Sequence, residues 1–338
     1  HLYKKELPNG TPTRLTTGTD FEFEPTISPD SNTIVYVGWN DIEKGAIFKI
    51  PASGGTPTKI TSTKGIYRTP SFSSDGQKIV FRKESGNTDQ GFTYTKNPGI
   101  YTMDANGGNE KMVTENGEYP TFNKDDDRIF LQTGGTYFGN LTKTLISVDL
   151  NGEDKREHVS SKYANRLIPS PDNKWIAYTN LHKVFISPLI MNGQTMNLDD
   201  KTTSVPVMQI AKDAGINIHW SSDSKKVMWT LGDEYFKNEV KDKFTFLPGA
   251  PSEATEITTE GTKIGLTAPV DKPSGQIAFT NARIITMDGD KVIENGSILI
   301  SENKIEAMGE NINIPQTAKV YDVKGKTIMP GMVDAHAH

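Results

Sequence analysis

The residues best suited to chemistry close the sequence: Asp334-Ala335-His336-Ala337-His338. An apolar strand and a Pro330-Gly331 turn deliver the chain into Met332-Val333 just before them. Successive side chains on a strand point to opposite faces, so residues two apart share one face. The spacing therefore predicts that His336 and His338 aim their imidazoles the same way at the carboxyl end of one strand. Two neutral imidazoles so placed can occupy adjacent positions on a zinc-like ion, at Zn–N distances of ~2.0–2.1 Å. A lone His-x-His at a chain terminus says little by itself. Its meaning depends on the elements that lead into it.

Those elements carry a resemblance. Ile277-Ala-Phe-Thr-Asn-Ala-Arg-Ile-Ile-Thr-Met-Asp-Gly289, Gly296-Ser-Ile-Leu-Ile300, Lys304-Ile-Glu-Ala-Met-Gly309 and Val320–Gly331, followed by Asp-x-His-x-His, resemble the opening of the metal-dependent amidohydrolase superfamily, imidazolonepropionase-like members included. The resemblance implies a small β-sandwich over 277–329 that leads into a (β/α)8 barrel, with residues 330–338 as the first barrel strand. It implies that His336 and His338 are metal ligands and Asp334 a supporting residue. It also implies one or two divalent ions, zinc first among them, and hydrolysis of C–N bonds by metal-activated water. The family's remaining ligands and its catalytic Asp lie on later barrel strands, and none follows His338 here. The expectation is a natural protein that continues past His338, with the barrel and the closing sandwich strands as missing partners. No catalytic residue is expected within these 338 residues, so this chain alone should be inactive.

The larger part of the chain is a repeat. Pro25-Thr-Ile-Ser-Pro-Asp30 recurs as Pro70-Ser-Phe-Ser-Ser-Asp75 and as Pro120-Thr-Phe-Asn-Lys-Asp125, with weaker copies around Asp172 and Asp223. The shared Asp positions are separated by 45, 50, 47 and 51 residues. Each copy reads as a short strand, a tight turn, an alternating apolar strand such as Lys78-Ile-Val-Phe81, and two further strands around a glycine turn. Four short strands at this period make a β-propeller blade. Leu2–Gly10 with Arg14-Leu-Thr16 matches only the third and fourth strands, so the expected start is mid-blade, with about six blades in view and the first one partial.

The Pro-x-x-Ser-Pro-Asp signature resembles that of TolB-type (WD40-like) propellers. This places propeller blades over 1–249 and a closing strand and linker over 250–276. The fold class expected is all-β in the visible chain. The repeated Asp side chains are expected to cap tight turns rather than hold metal. The Asp125-Asp126-Asp127 run reads as a solvated loop, and Trp39, Trp175, Trp220 and Trp229 as packing between blades. Asp288-Gly289 and Asn295-Gly296 read as hairpin turns.

Composition excludes several classes. Cysteine is absent, which removes disulfides and thiolate chemistry. A net charge of −5 without a Lys/Arg cluster argues against a nucleic-acid partner. No apolar run is long enough for a membrane span. Gly-x-Ser-x-Gly, phosphate-loop and dinucleotide motifs are missing.

Two functions follow from different classes. One is a metal-dependent hydrolase acting on a small-molecule or peptide-like substrate, with a propeller that gates or orients it. The other is a propeller that binds protein or envelope partners without catalysis. The TolB resemblance implies a periplasmic or secreted location, with cytoplasm and homo-oligomers left open.

Overall fold

The computed structural model describes residues 1–86, 94–135, 139–267, 270 and 272–335. Two compact units, His1–Leu266 and Thr267–His338, divide the chain. Strands dominate both, and among the described residues the helical content is a single 3-10 turn at Val240–Asp242.

The first unit is built from antiparallel four-stranded sheets in sequence order. Blade 1 comprises Phe21–Ile27, Thr33–Asn40, Lys44–Pro51 and Thr58–Lys59, and blade 2 Ile66–Phe72, Lys78–Glu84, Gly99–Asp104 and Lys111–Thr114. Blade 3 begins at Glu118–Phe122, blade 4 at Leu167–Pro169 and blade 5 at Ile216–Trp220. Blade 3 gains a fifth strand, Met196–Asn197, which runs parallel to Arg156–Lys162. Tyr3–Lys4 and Thr13–Arg14 form the expected half-blade. Thr262–Lys263 pairs with Glu234–Glu239 as the outer strand of blade 5. Near the half-blade, Lys5 Nζ donates to the Ile264 carbonyl at 2.5 Å, joining the two ends of the unit.

The core lies between blades, and this explains the sequence of the second strands. Ile79, Val80 and Phe81 are consecutive and all fully buried. Ile79 and Phe81 pack with Val35, Val37 and Ile47 of blade 1, whereas Val80 packs with Ile129 and Leu131 of blade 3. Alternate side chains thus fill alternate interfaces, and a strand covered on both faces reads as an unbroken apolar run. Phe130 and Tyr178 meet in the next interface, and Ala177 and Trp229 in the one after. Trp220 also crosses between blades, its indole N–H donating to the Ile168 carbonyl at 3.0 Å.

The turn aspartates do structural work. Ser28, Ser73, Ser170 and Ser221 donate their hydroxyls to Asp30, Asp75, Asp172 and Asp223. Each Asp then accepts the backbone N–H two residues on. These bonds, led by the serine hydroxyl, hold Asp30, Asp75 and Asp223 below the usual carboxylate range. Asp125 departs from the pattern. In blade 3 Asn123 replaces the serine and itself accepts the N–H groups of Asp127 and Arg128, so Asp125 turns outward to Lys124 Nζ at 2.8 Å.

The following residue matters more than the repeat suggested. Asp126, Asn173 and Ser224 have φ of 58°, 59° and 59°. Each reaches the turn of the preceding blade: Asp126 accepts Ser74 N–H at 2.7 Å, Asn173 accepts Lys124 N–H at 2.6 Å, and Ser224 accepts Asp172 N–H at 3.0 Å.

The second unit is one five-stranded sheet. Gln276–Ile285 pairs antiparallel with Val292–Ser301, which pairs with Lys304–Gly309. Lys319–Asp322 and Thr327–Ile328 both run parallel to Gln276–Ile285. One apolar cluster gathers Ala282, Ile284, Ile293 and Ile298, and another gathers Ala278, Leu299 and Ala318. Where the resemblance implies a sandwich over 277–329, the described strands form this single sheet. Asn295-Gly296 is not a turn. Gly296 sits inside a strand opposite Ala282, where a Cβ would come within 2.7 Å of Ile293 Cγ2. Packing of Ile284 and Ile293 across this glycine overrides the local turn preference.

Candidate functional site

Thr327–Ile328 is the last paired segment. From Gly331 to Asp334 the chain makes no ladder, and Met332 and Val333 are 93% and 90% exposed. A barrel strand needs hydrogen-bonded neighbours on both sides, and this segment is not paired with any described strand. Asp334 is exposed. His336 and His338 lie outside the described residues, as do Pro269 and Asp271 of the expected linker. Among the described residues, no group of three or more His, Cys, Asp or Glu is placed to hold a metal ion.

The first unit holds a charged locus that no sequence motif marks. The first strands of the blades carry register shifts between Phe23 and Thr26, Arg68 and Ser71, Glu118 and Thr121, and Ile216 and His219. Within each shift one non-glycine residue adopts a left-handed conformation: Glu24 (φ 50°), Thr69 (48°), Tyr119 (50°) and Asn217 (52°). Such residues cost on the order of 1–3 kcal/mol each unless their surroundings fix them. They occupy the same repeat position, six residues before the turn Asp, and the fourth blade places Arg166 there. The repeat register was the available signal for this set.

An alternating chain of charges runs beside these residues. Glu24 meets Arg68 at 2.6 Å, Arg68 meets Glu84 at 3.7 Å, and Glu84 meets Arg82 at 3.4 Å. Arg82 in turn meets Glu118 at 3.4 Å, and Glu118 meets Lys143 at 3.1 Å. Glu24 also accepts the Thr69 N–H. Its hydrogen bond raises the Arg68 pKa further above the ordinary arginine value. Arg82, Glu84, Glu118 and Gln132 line a cleft of about 510 Å³. The scattered histidines stand apart from it: His158 is buried beside Ser147 and Phe130, while His182 and His219 are exposed.

No family model matches the chain. A segment of 63 residues is 38% identical to 5'-deoxyadenosine deaminase of Methanosarcina acetivorans, covering 18% of this chain and 14% of that protein. Guanine deaminase of Escherichia coli is 37% identical over 90 residues, covering 25% of this chain and 18% of that protein. Imidazolonepropionase of Vibrio cholerae is 32% identical over 64 residues, covering 18% and 16%. The chain thus spans less than a fifth of the length of these curated relatives.

Solved structures match the larger part. The TolB structure of Agrobacterium tumefaciens aligns over 68% of this chain and 81% of its own, at 14% identity and a TM-score of 0.50. The tricorn protease structure aligns over 88% of this chain and 28% of its own, at 13% identity and a TM-score of 0.57. These likenesses concern fold alone. Among the described residues no helix is long and apolar enough to cross a membrane. The chain therefore joins a β-propeller of TolB-like fold to a segment similar to amidohydrolase-family deaminases and imidazolonepropionase.

Proposed function

We propose that the chain is part of a metal-dependent hydrolase that acts on C–N bonds of a small-molecule or peptide-like substrate. The observation that carries this reading is the similarity of about 63 residues to deaminases and to imidazolonepropionase, in a chain that ends Asp334-x-His336-x-His338. The donor set fits part of a divalent-metal site: two imidazoles spaced as His-x-His are ordinary zinc ligands, and a nearby carboxylate can fix the tautomer of one. Four-coordinate closure needs further ligands, which would come from the longer protein. His336 and His338 would hold the ion, and Asp334 would orient a histidine. A divalent ion, when bound, supplies Lewis acidity that polarises the scissile carbonyl and acidifies water.

The propeller would gate or orient substrate, and a periplasmic or secreted location is part of the proposal. The test is C–N hydrolysis by the protein as its source makes it, compared with H336A and H338A. Abolished turnover in both variants supports the reading, and full retention refutes it. A second reading, a propeller that only binds partners, is favoured by the two thirds or more of the chain that fold as propeller. It predicts no hydrolysis in either form.

A further inference from the structure

Arg166 has an environment that the propeller fold does not require. Its guanidinium lies over the Tyr119 ring, with Cζ 3.7 Å from the ring centre. Among the described residues it makes no ion pair, and its Nε is fully covered with no hydrogen-bond acceptor. A covered, unpaired donor on a charged group is costly to leave unsatisfied. Burial lowers its pKa, yet arginine stays charged near neutrality.

The backbone on either side of Arg166 is held from a neighbouring blade. Gln132, 1% exposed, donates from Nε2 to the Asn165 carbonyl at 2.9 Å and accepts the Leu167 N–H at 2.8 Å. Thr179 Oγ1 accepts the Arg166 N–H at 3.1 Å. The backbone at Arg166 is thus fixed, and its side chain is half-buried. Gln132, and Glu118 next to Tyr119, line the neighbouring cleft of about 510 Å³, whose lining does not include Arg166 or Tyr119 themselves.

Charge selects the ligand. The alternating chain contains three carboxylates, Glu24, Glu84 and Glu118, and three cations, Arg68, Arg82 and Lys143, so it is balanced within itself. Arg166 adds a positive charge that has no ion-pair partner among the described residues, beside a cleft that Lys83 and Glu115 also line. Glu24 and Glu118 are the carboxylates whose field reaches it, and they would oppose a dianion more than a monoanion. The planar guanidinium fork matches a carboxylate, and the stacked tyrosine favours a flat partner.

We infer that Arg166 and Tyr119 form a binding site for a carboxylate-bearing small molecule on the propeller, independent of the metal chemistry proposed for the second unit. The site takes a monocarboxylate in preference to phosphate and to neutral isosteres.

The test uses the 338-residue chain, nitrogen-15 labelled, with the Arg166 Nε–H resonance assigned by its loss in R166Q. Sodium benzoate at constant ionic strength should shift that resonance saturably. Benzamide should bind at least 10-fold more weakly, and inorganic phosphate more weakly than benzoate. R166Q should lose at least 10-fold in benzoate affinity while it melts at the wild-type temperature. Equal binding of benzoate and benzamide to the wild-type chain overturns the inference, and this comparison decides even if R166Q does not fold. Tighter binding of phosphate than of benzoate overturns the carboxylate assignment.

Discussion

Lowering the pH should destabilise the propeller through His158, and H158Q should remove that sensitivity. His158 is 8% exposed and packs edge-on against Phe130 at 5.4 Å. Its Nε2 lies 2.8 Å from Ser147 Oγ, and that oxygen already accepts Arg128 Nε–H at 3.0 Å. A neutral His158 can accept the Ser147 hydroxyl proton at Nε2, which satisfies both groups inside the core. Burial first, then the charges of Arg128 and Arg156, lowers the His158 pKa from 6.5 to about 4. A histidine so depressed contributes stability that is present above pH 6.5. That stability is lost as the pH falls from there toward the folded value of about 4. At pH 4.5 the linkage ceiling is roughly 2.5 kcal/mol at 1.36 kcal/mol per decade. Partial solvent access reduces the working figure to about 1–2 kcal/mol.

The assay is urea unfolding followed by tryptophan fluorescence at pH 7.5 and 4.5. All four tryptophans, at 39, 175, 220 and 229, lie in the first unit, so the signal reports the propeller alone. The stability of wild type relative to H158Q should fall by about 1–2 kcal/mol between the two pH values. An unchanged difference would refute the neutral, buried assignment of this histidine.

Four other outcomes are expected. Trp229, 1% exposed and stacked on Phe236 at 5.3 Å, should cost about 3–5 kcal/mol as W229A, read by circular-dichroism melts. D126G keeps the left-handed turn but loses the bonds to Ser74 and should cost about 1 kcal/mol. D125A should stay within roughly 0.5 kcal/mol of wild type in the same urea series. G296A forces a Cβ to within 2.7 Å of Ile293 and should destabilise the second unit by about 1–3 kcal/mol. Hydrogen exchange of Gln276–Ile285 amides would report it.

Several parts of this architecture were legible in the sequence, for physical reasons. Ser73 and Asp75 bond within five residues of one another, so the repeat exposes them directly. The unbroken run Ile79-Val80-Phe81 announces a strand buried on both faces. Strands near 277–329 were likewise readable, because alternation there is local. The bonds that join Asp126, Asn173 and Ser224 to the preceding blade were not, since each partner stands about fifty residues away. Asn295-Gly296 misled because a two-residue turn preference is weaker than the pairing of a ten-residue strand. Arg166 is unremarkable as a letter. Its meaning comes from Tyr119, Gln132 and a charge balance assembled from three blades.

The proposed metal chemistry is tested most directly by metal content. The protein as its source makes it should be purified without chelators, and zinc and other divalent metals counted per chain by plasma mass spectrometry. The account predicts at least one ion per chain, and its loss in an H336A/H338A double variant that remains folded. Metal-free protein with intact C–N hydrolysis, or metal retained in full by the double variant, would contradict it.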